Sequence, residues 1–582
     1  MEKWWTEVGA EEWSDAIVAS MKLGGVDNLF FVSGSELVFF QEAIARAKHH
    51  GWPAPNLVSL NHEHVALNAA IGNAMIRNQP AATAVHVDAG SMNMGAGIHA
   101  AWRGGYPVFM TGGAGPRAFP GSMPGARLNP IHWKQEPRDQ GEIVRQYTKI
   151  DHRLEHQDNP GLIVSRLLQV AMSAPQGPVY MTLPQETAML PLPGSTAFPT
   201  RDQLGIASRS WPDPADVTDI ARWLVEAEAP VIFTTGAGRE ADAVQALIEL
   251  SETLAIPVTQ SGQADRMNFP FGHWASGTGP KAKDADVIIV FEDTVPWIPG
   301  PNAPSPDAKI VWVSEDAVLS RYKTMEFRAD IWIPASSSGT AQAIRQAIEQ
   351  RMTPAIQERV NQRRERMMTR KQEQTTRELK LATDGIAKGK LDGRAVGYEL
   401  GKLMEESTVI LNDGVSNQGY IRDYTNREQF GTYFRSGSSA GGWGSGAAFG
   451  AKLARPDADV IHATGDGYFM FGSPLPALWA AKHYHAPYLA VVFVNGTYST
   501  GTSGLEDHYP DGYAVRSNNY EGGTFSPPPQ FEKVAEAANS YGEYVTELSD
   551  LAPALRRGLD FTRDGTPALI AVRVPGALDK GD

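Results

Sequence analysis

The sequence predicts an α/β protein of three doubly wound parallel-sheet domains. Three observations predict it. Short apolar strands alternate with helical patterns in three separate stretches of the 582 residues, and such alternation builds parallel sheets with helices on both faces. The length leaves room for several domains of ordinary size. Two polar turns, Thr464-Gly465-Asp466-Gly467-Tyr468 and Val494-Asn495-Gly496-Thr497, each follow an apolar strand directly, where open α/β sheets bind ligands.

The first unit covers residues 1–190. Asn28 to Val32 is a short strand that ends at Ser33-Gly34-Ser35, and Glu36 to Lys48 reads as a helix. Leu57 to Leu60 runs into Asn61-His62-Glu63-His64, where Val65, Ala69, Gly72 and Met75 share one helical face. Ala81 to Val87, Tyr106 to Thr111 and Gly177 to Pro184 supply further strands. Residues 191–212 are rich in Pro, Ser and Gly and predict a linker. A middle unit spans 213–350, with strands at Pro230 to Phe233, Asp286 to Phe291 and Lys309 to Val313. Its Gly236-Ala237-Gly238 turn is expected to join strand to helix, because no ribose-binding acid follows at the end of the next strand. Residues 351–390 are charged and helical. Their basic run from Arg359 to Lys371 predicts a solvated linker helix. The third α/β unit covers 391–582.

In that unit, Asp466 and Asn495 end two strands joined by a helical pattern from Leu475 to His485. A hard cation takes oxygen ligands, and Asp466, Asn495 and the Thr497 carbonyl supply three. Gly465 and Gly467 let the backbone approach a diphosphate, with main-chain amides as donors. Gly-Asp-Gly alone is an ordinary turn. The preceding strand, the following helix and a strand-Asn-Gly 29 residues on make the metal and diphosphate reading much more specific. Glu63 opens an Ala-rich helix, and a glutamate there also suits the positive helix terminus. His62-Glu63-His64 is not a zinc helix, since position 66 is Ala. Taken with the 464–497 pair, Glu63 reads as the carboxylate of a cofactor's proton relay.

Over nearly its whole length the chain resembles thiamine diphosphate enzymes of the acetohydroxyacid synthase, benzaldehyde lyase and 2-hydroxyacyl-CoA lyase group. Besides Glu63, Asp466 and Asn495, the resemblance rests on several segments. These are Asp88-Ala-Gly90-Ser-Met-Asn93, Val108 to Gly112, Lys134-Gln135-Glu136, Tyr147-Thr148-Lys149, Gly177 to Pro184, Asn412 to Gln418 and Gly442 to Gly450. It implies a thiamine diphosphate-binding fold with a pyrimidine-binding first domain and a diphosphate-binding third domain. It also implies a homodimer or homotetramer with shared active sites. In such enzymes a carboxylate holds N1′ of the aminopyrimidine, and the base so tuned removes the thiazolium C2 proton. The carboxyl needs a dry pocket.

The resemblance assigns Glu63 to that relay and Asp466, Asn495 and Thr497 to Mg2+. It makes Ser416, Asn417 and the turn Gly465, Gly467 and Tyr468 candidates for the cofactor, and Ser33, Lys134, Gln135 and Tyr498 candidates for the substrate, with Thr500 beside Tyr498 as cover. Three departures stand out. Gly441, beside Ala440, occupies the position of a bulky apolar residue that supports the cofactor, so another side chain, Trp443 among the candidates, is expected to fill that space. Lys134 replaces an apolar residue, which suits an anionic substrate group. Ser33 stands where benzaldehyde lyases carry a histidine. Nothing in the middle unit marks FAD or ADP.

Bulk composition excludes other classes. The formal charge is −14, from 52 Lys and Arg against 66 Asp and Glu, which argues against general binding to nucleic acid or anionic membrane. Without cysteine, disulfides, thiolate nucleophiles and Cys-based metal sites are excluded. The first residues lack the basic and apolar regions of a signal peptide, and no apolar run has the ~18 residues of a membrane span. The expectation is a cytoplasmic lyase or carboligase acting on small keto acids or 2-hydroxyketones, acetolactate synthase-like. A 2-keto acid decarboxylase or a 2-hydroxyacyl-CoA lyase with an acyl-CoA substrate is the nearest alternative. Gly441 motivates a third reading, a cofactor-binding paralogue without turnover.

Overall fold

The apolar runs read from the sequence form the central strands of three parallel sheets. The computed structural model describes residues 3–261, 264–525 and 527–576. In the first domain, β1 (Asn28–Val32), β2 (Asn56–Leu60), β3 (Ala81–Val85), β4 (Val108–Ala114), β5 (Asp151–Arg153) and β6 (Val179–Pro184) pair in the order β2-β1-β3-β4-β6-β5. Strands β3, β4 and β6 are buried along their whole length, because helices cover both faces of the sheet. Helix α1 (Glu63–Arg77) follows β2, and α2 (Val87–Asn93) follows β3.

The middle sheet has the order β8-β7-β9-β10-β11, with β7 (Pro230–Thr234), β8 (Val258–Gln260), β9 (Val287–Phe291), β10 (Lys309–Val313) and β11 (Ile331–Ile333). Helix α3 (Pro354–Ala387) then leads to the third domain, its start fixed by the Thr353 cap and a proline in the first turn. The basic run in α3 is not simply solvated. Arg363 donates to the carbonyls of Leu254 and Ala227, Arg364 to Glu252 and Arg370 to Thr278, so the helix is clamped to the middle domain.

The third sheet contains β12 (Val409–Asp413), β13 (Tyr433–Phe434), β14 (Val460–Gly465), β15 (Leu489–Val494), β16 (Tyr541–Val545) and β17 (Ala568–Arg573), in the order β13-β12-β14-β15-β17-β16. The first domain has the same connectivity. In both, the loops after the first and third strands leave toward opposite faces and open a crevice. Helices α4 (Gly444–Ala454) and α5 (Asp466–Phe471) border the crevice of the third domain.

Residues 191–212, expected as a linker, include the strand Pro191–Phe198, which pairs antiparallel with Thr6–Glu12. Within one chain the first and third domains meet along α1 and α4. A β-carbon on Gly72 or Gly450 would collide with the carbonyl oxygens of Ala447 or Ala69, and one on Gly446 would stand 2.7 Å from that of Val65. The apolar core runs through this seam, from Val65 and Ala70 to Ala447 and Phe449. Among the described residues no helix is long and apolar enough to cross a membrane.

Candidate functional site

Asp466 is the first residue of α5 and is almost fully buried. Its Oδ1 accepts the Gly467 amide at 2.8 Å, and its Oδ2 accepts the amides of Asn495 and Gly496 at 2.8 and 2.7 Å. One carboxylate thus ties the turn after β14 to the turn after β15. Burial pushes this carboxyl above its usual range, opposed by those amides. Asn495 Oδ1 closes the second turn by accepting the Thr497 amide at 2.9 Å and hydroxyl at 3.0 Å. Gly496 takes a positive φ of 66° there, which glycine adopts without strain.

A cavity of about 60 Å3 opens beside these turns. Ser416 and Asn417 enter it from the loop after β12, Gly465 to Tyr468 from the turn after β14, and Asn495, Thr497, Tyr498 and Thr500 from the turn after β15. The structure therefore brings together every candidate cofactor residue of the third domain except Gly441. The donor set fits a hard cation. It offers one carboxylate, one amide oxygen and one main-chain carbonyl, with no competing cluster of His, Asp or Glu among the described residues. A β-carbon on Gly465 would meet nothing within 4 Å, so the main chain there is open to a close-lying diphosphate.

Gly441 lies next to this cavity, and a β-carbon on it would collide with the ring of Tyr468. Tyr468 therefore fills the space left by the missing side chain. Trp443 does not: it is 1% exposed and packed in the core. The Tyr468 ring begins an aromatic row that continues through Phe471, Tyr498 and Phe525.

Glu63 lies elsewhere, at the C-terminal edge of the first sheet, and is only half-buried. His62 caps α1 by accepting the His64 amide at 3.2 Å. His64 is buried and held below its usual pKa by desolvation. Its Nε2 lies 3.3 Å from the Gly442 carbonyl of the third domain. The Asn93 side-chain amide donates to Glu63 Oε2.

Ser33 is exposed at the end of β1, one strand from Glu63. Lys134 ends a one-turn helix, Ile131–Lys134, and is exposed; Gln135 caps it, with a buried Oε1 that accepts no hydrogen bond. These residues share the first-domain edge and are absent from the lining of the third-domain cavity.

Sequence reasoning missed a cluster on this edge. Glu36 is fully buried; His86 Nε2 hydrogen-bonds its Oε2, and His132 Nε2 stands 3.4 Å from its Oε1. Burial works to raise the Glu36 carboxyl, but hydrogen bonds from His86 and Ser35 outweigh it and hold it at about 2. The only signal was a histidine near the C-terminal end of the apolar run Ala81 to Val87.

Two further cavities lie away from these residues. About 50 Å3 is enclosed where the first domain meets the Gly236–Gly238 turn, among Arg209, Arg239, Glu240, Glu292, Glu315 and Arg321. Burial, and then the neighbouring Glu315, push the Glu292 carboxyl up to about 7. The other, about 1090 Å3, lies between the middle domain, α3 and the third domain, and none of the expected site residues lines it.

Comparison with known proteins bears out the resemblance. The family model "Thiamine pyrophosphate enzyme, N-terminal TPP binding domain" matches residues 12–143, and the corresponding C-terminal TPP binding domain matches residues 413–572. Acetolactate synthase large subunit IlvG of Mycobacterium tuberculosis is 26% identical over 96% of this chain and 94% of its own. Benzoylformate decarboxylase of Pseudomonas aeruginosa is 24% identical over 75% of this chain and 78% of its own. The crystal structure of benzoylformate decarboxylase from Polynucleobacter necessarius superposes with a TM-score of 0.75 at 19% identity, over 97% of this chain and 99% of that one. The two matched domains settle the family: the chain belongs to the thiamine pyrophosphate enzymes, that is, the thiamine diphosphate-dependent enzymes.

Proposed function

We propose that this enzyme is a magnesium- and thiamine diphosphate-dependent lyase or carboligase acting on a 2-keto acid or a 2-hydroxyketone. The observation that carries this reading is Asp466, whose buried carboxylate joins two turns beside an oxygen-lined cavity. When bound, thiamine diphosphate supplies an electron sink for the carbon whose bond is broken. Asp466, Asn495 and the Thr497 carbonyl hold Mg2+. Ser416, Asn417 and the amides of Gly467 and Tyr468 hold the diphosphate. Glu63 exchanges a proton with the aminopyrimidine ring. Ser33, Lys134 and Gln135 meet the substrate, and Tyr498 and Thr500 cover it.

Decarboxylation is favoured within this class by His86. Cleaving a 2-keto acid to CO2 and an aldehyde replaces the carboxylate with one proton, so a proton donor must stand at the substrate. An imidazole bonded to a buried carboxylate on the sheet edge of Glu63 suits that task. Benzoylformate, named in two of the similar proteins, is itself a 2-keto acid.

We also infer that two copies complete each site. The third-domain cavity is lined by that domain alone, and Glu63 is half-buried, although a proton relay needs a dry pocket. Exposed apolar side chains flank both halves: Met92, Leu128 and Trp133 on the first domain, Met470, Phe471 and Leu475 on the third. A two-fold dimer that faces one edge with the other covers both at once.

Calorimetry of thiamine diphosphate binding with Mg2+ and with EDTA tests the cofactor assignment. Affinity should be lost in EDTA and in Asp466→Ala; equal affinity with and without the metal would sink it. A panel of donors, with and without acceptor aldehydes, tests the chemistry. Release of CO2 from a 2-keto acid is expected, and Lys134→Phe should weaken anionic donors more than neutral ones. A strict requirement for a CoA thioester would overturn the keto-acid reading.

A further inference from the structure

We propose that Asn93 is the positioning residue of Glu63: its side-chain amide selects one carboxylate oxygen and leaves the other free for proton exchange. The proposal rests on the reading of Glu63 as the proton relay. The Asn93 amide donates to Glu63 Oε2. The other oxygen, Oε1, lies over Gly90, where an added β-carbon would stand 3.3 Å away. One helix, α2, therefore touches both oxygens, one with a donor and one with a bare glycine.

The way α2 is anchored points to the same role. Its first residue, Val87, has φ 43°, a rare conformation for a β-branched side chain and one that costs free energy. Such strain persists only where the surroundings over-determine it. Here the buried Ser91 hydroxyl donates to the Val87 carbonyl at 2.8 Å and lies 2.7 Å from the Tyr180 hydroxyl. Gln140 in turn donates to Tyr180 at 2.9 Å and to the Gly113 carbonyl at 2.8 Å. A strained entry and a buried network thus fix a seven-residue helix. Its last residue is nonetheless exposed, and its polar partner is only half-buried. Within one chain this amide–carboxylate contact is exposed and contributes little to that chain's folding, so the stability of the chain does not account for this investment in placing Asn93. Orientation of Glu63 does.

Three substitutions separate the roles. Asn93→Ala removes the donor and the shape. Asn93→Asp keeps the shape but replaces the donor with a carboxylate. Asn93→Gln keeps the amide on a longer stem. Each is measured for melting temperature without cofactor, thiamine diphosphate affinity by calorimetry, and exchange of the cofactor C2 proton by NMR after acid quench. Asn93→Ala and Asn93→Asp should melt close to wild type and still bind cofactor, yet exchange about 10- to 100-fold more slowly, the scale of a misplaced catalytic group. Asn93→Gln should exchange faster than either. Wild-type exchange in Asn93→Asp would overturn the proposal. So would a fall in melting temperature and affinity that accounts for the slower exchange, which would make Asn93 merely structural. Glu63→Gln serves as the control. If that variant exchanges like wild type, the relay reading itself fails; if it is slow while the Asn93 variants are not, only the Asn93 proposal falls.

Discussion

The ring of Tyr468 occupies the space that a side chain on residue 441 would need, so that Gly441 and Tyr468 together make one surface. Gly441 precedes α4 and Tyr468 lies in α5, and Tyr468 lines the cavity assigned to the diphosphate. The gap that motivated a non-catalytic reading of this chain is therefore filled. Tyr468→Ala should fold and lose about 10-fold or more in thiamine diphosphate affinity, the order expected when most of a buried aromatic contact is removed. Gly441→Leu should disrupt the wild-type chain by colliding with the ring, yet recover affinity in the Tyr468→Ala background. Calorimetry on the four chains decides it, and unchanged affinity in Tyr468→Ala would remove the ring from the site.

Glu63→Gln should fold and bind cofactor but exchange its C2 proton ~10²–10⁴-fold more slowly, the usual cost of losing one acid–base group. Exchange at the wild-type rate would leave Glu63 as no more than a favourable charge at a helix start.

A site shared between copies predicts complementation. Glu63→Gln and Asp466→Ala homodimers should each be inactive. In a mixed dimer one site collects both lesions and the other collects neither, so co-expression should restore activity, approaching half of wild type per mixed dimer. Purified mixed dimers without activity would show that both residues serve one site of one chain.

Glu292 predicts a pH effect on stability. Folded, it holds its proton up to about 7, whereas an unfolded glutamate releases it near ~4.3. Between these values the folded chain binds more protons, so stability falls as pH rises through that window. Glu292→Gln keeps an acceptor for the Glu315 amide, turns an amide donor toward the Ser314 hydroxyl, which can accept, and cannot ionise. It should gain on wild type as pH rises, on the order of 3 kcal/mol between about pH 4 and pH 8. Melting curves in which the two chains stay parallel from acid to alkaline pH would refute it.

The sheets and the two polar turns at Asp466 and Asn495 were legible for one reason: both are local. A parallel strand buried on two faces is a continuous apolar run, and Gly-Asp-Gly after such a run is a turn at a ligand edge. Elements whose identity depends on distant partners were not legible. The strand Pro191–Phe198 has a linker's composition and becomes a strand only by pairing with Thr6–Glu12. The sequence reading carried the third strand on to Val87, where the chain instead turns at positive φ into α2. That elbow places His86 on Glu36 and Asn93 on Glu63, and a lone His or Asn has no spacing that announces such a contact. Tyr468 was read as an amide donor; its ring's contact with Gly441 arises only when the two segments converge.

The glycine seam between α1 and α4 bears on how this enzyme can be recombined with its relatives. Helices that touch backbone to backbone at Gly72, Gly446 and Gly450 leave no flexible side-chain layer to absorb a foreign surface. Grafting a relative's first domain alone, or third domain alone, would set unmatched helices against each other along this line. The middle domain, held on one side by carbonyl contacts from α3, makes no part of that line. The natural unit of exchange in a chimera is thus the first and third domains together, transplanted as a matched pair although the middle domain and α3 separate them in the chain.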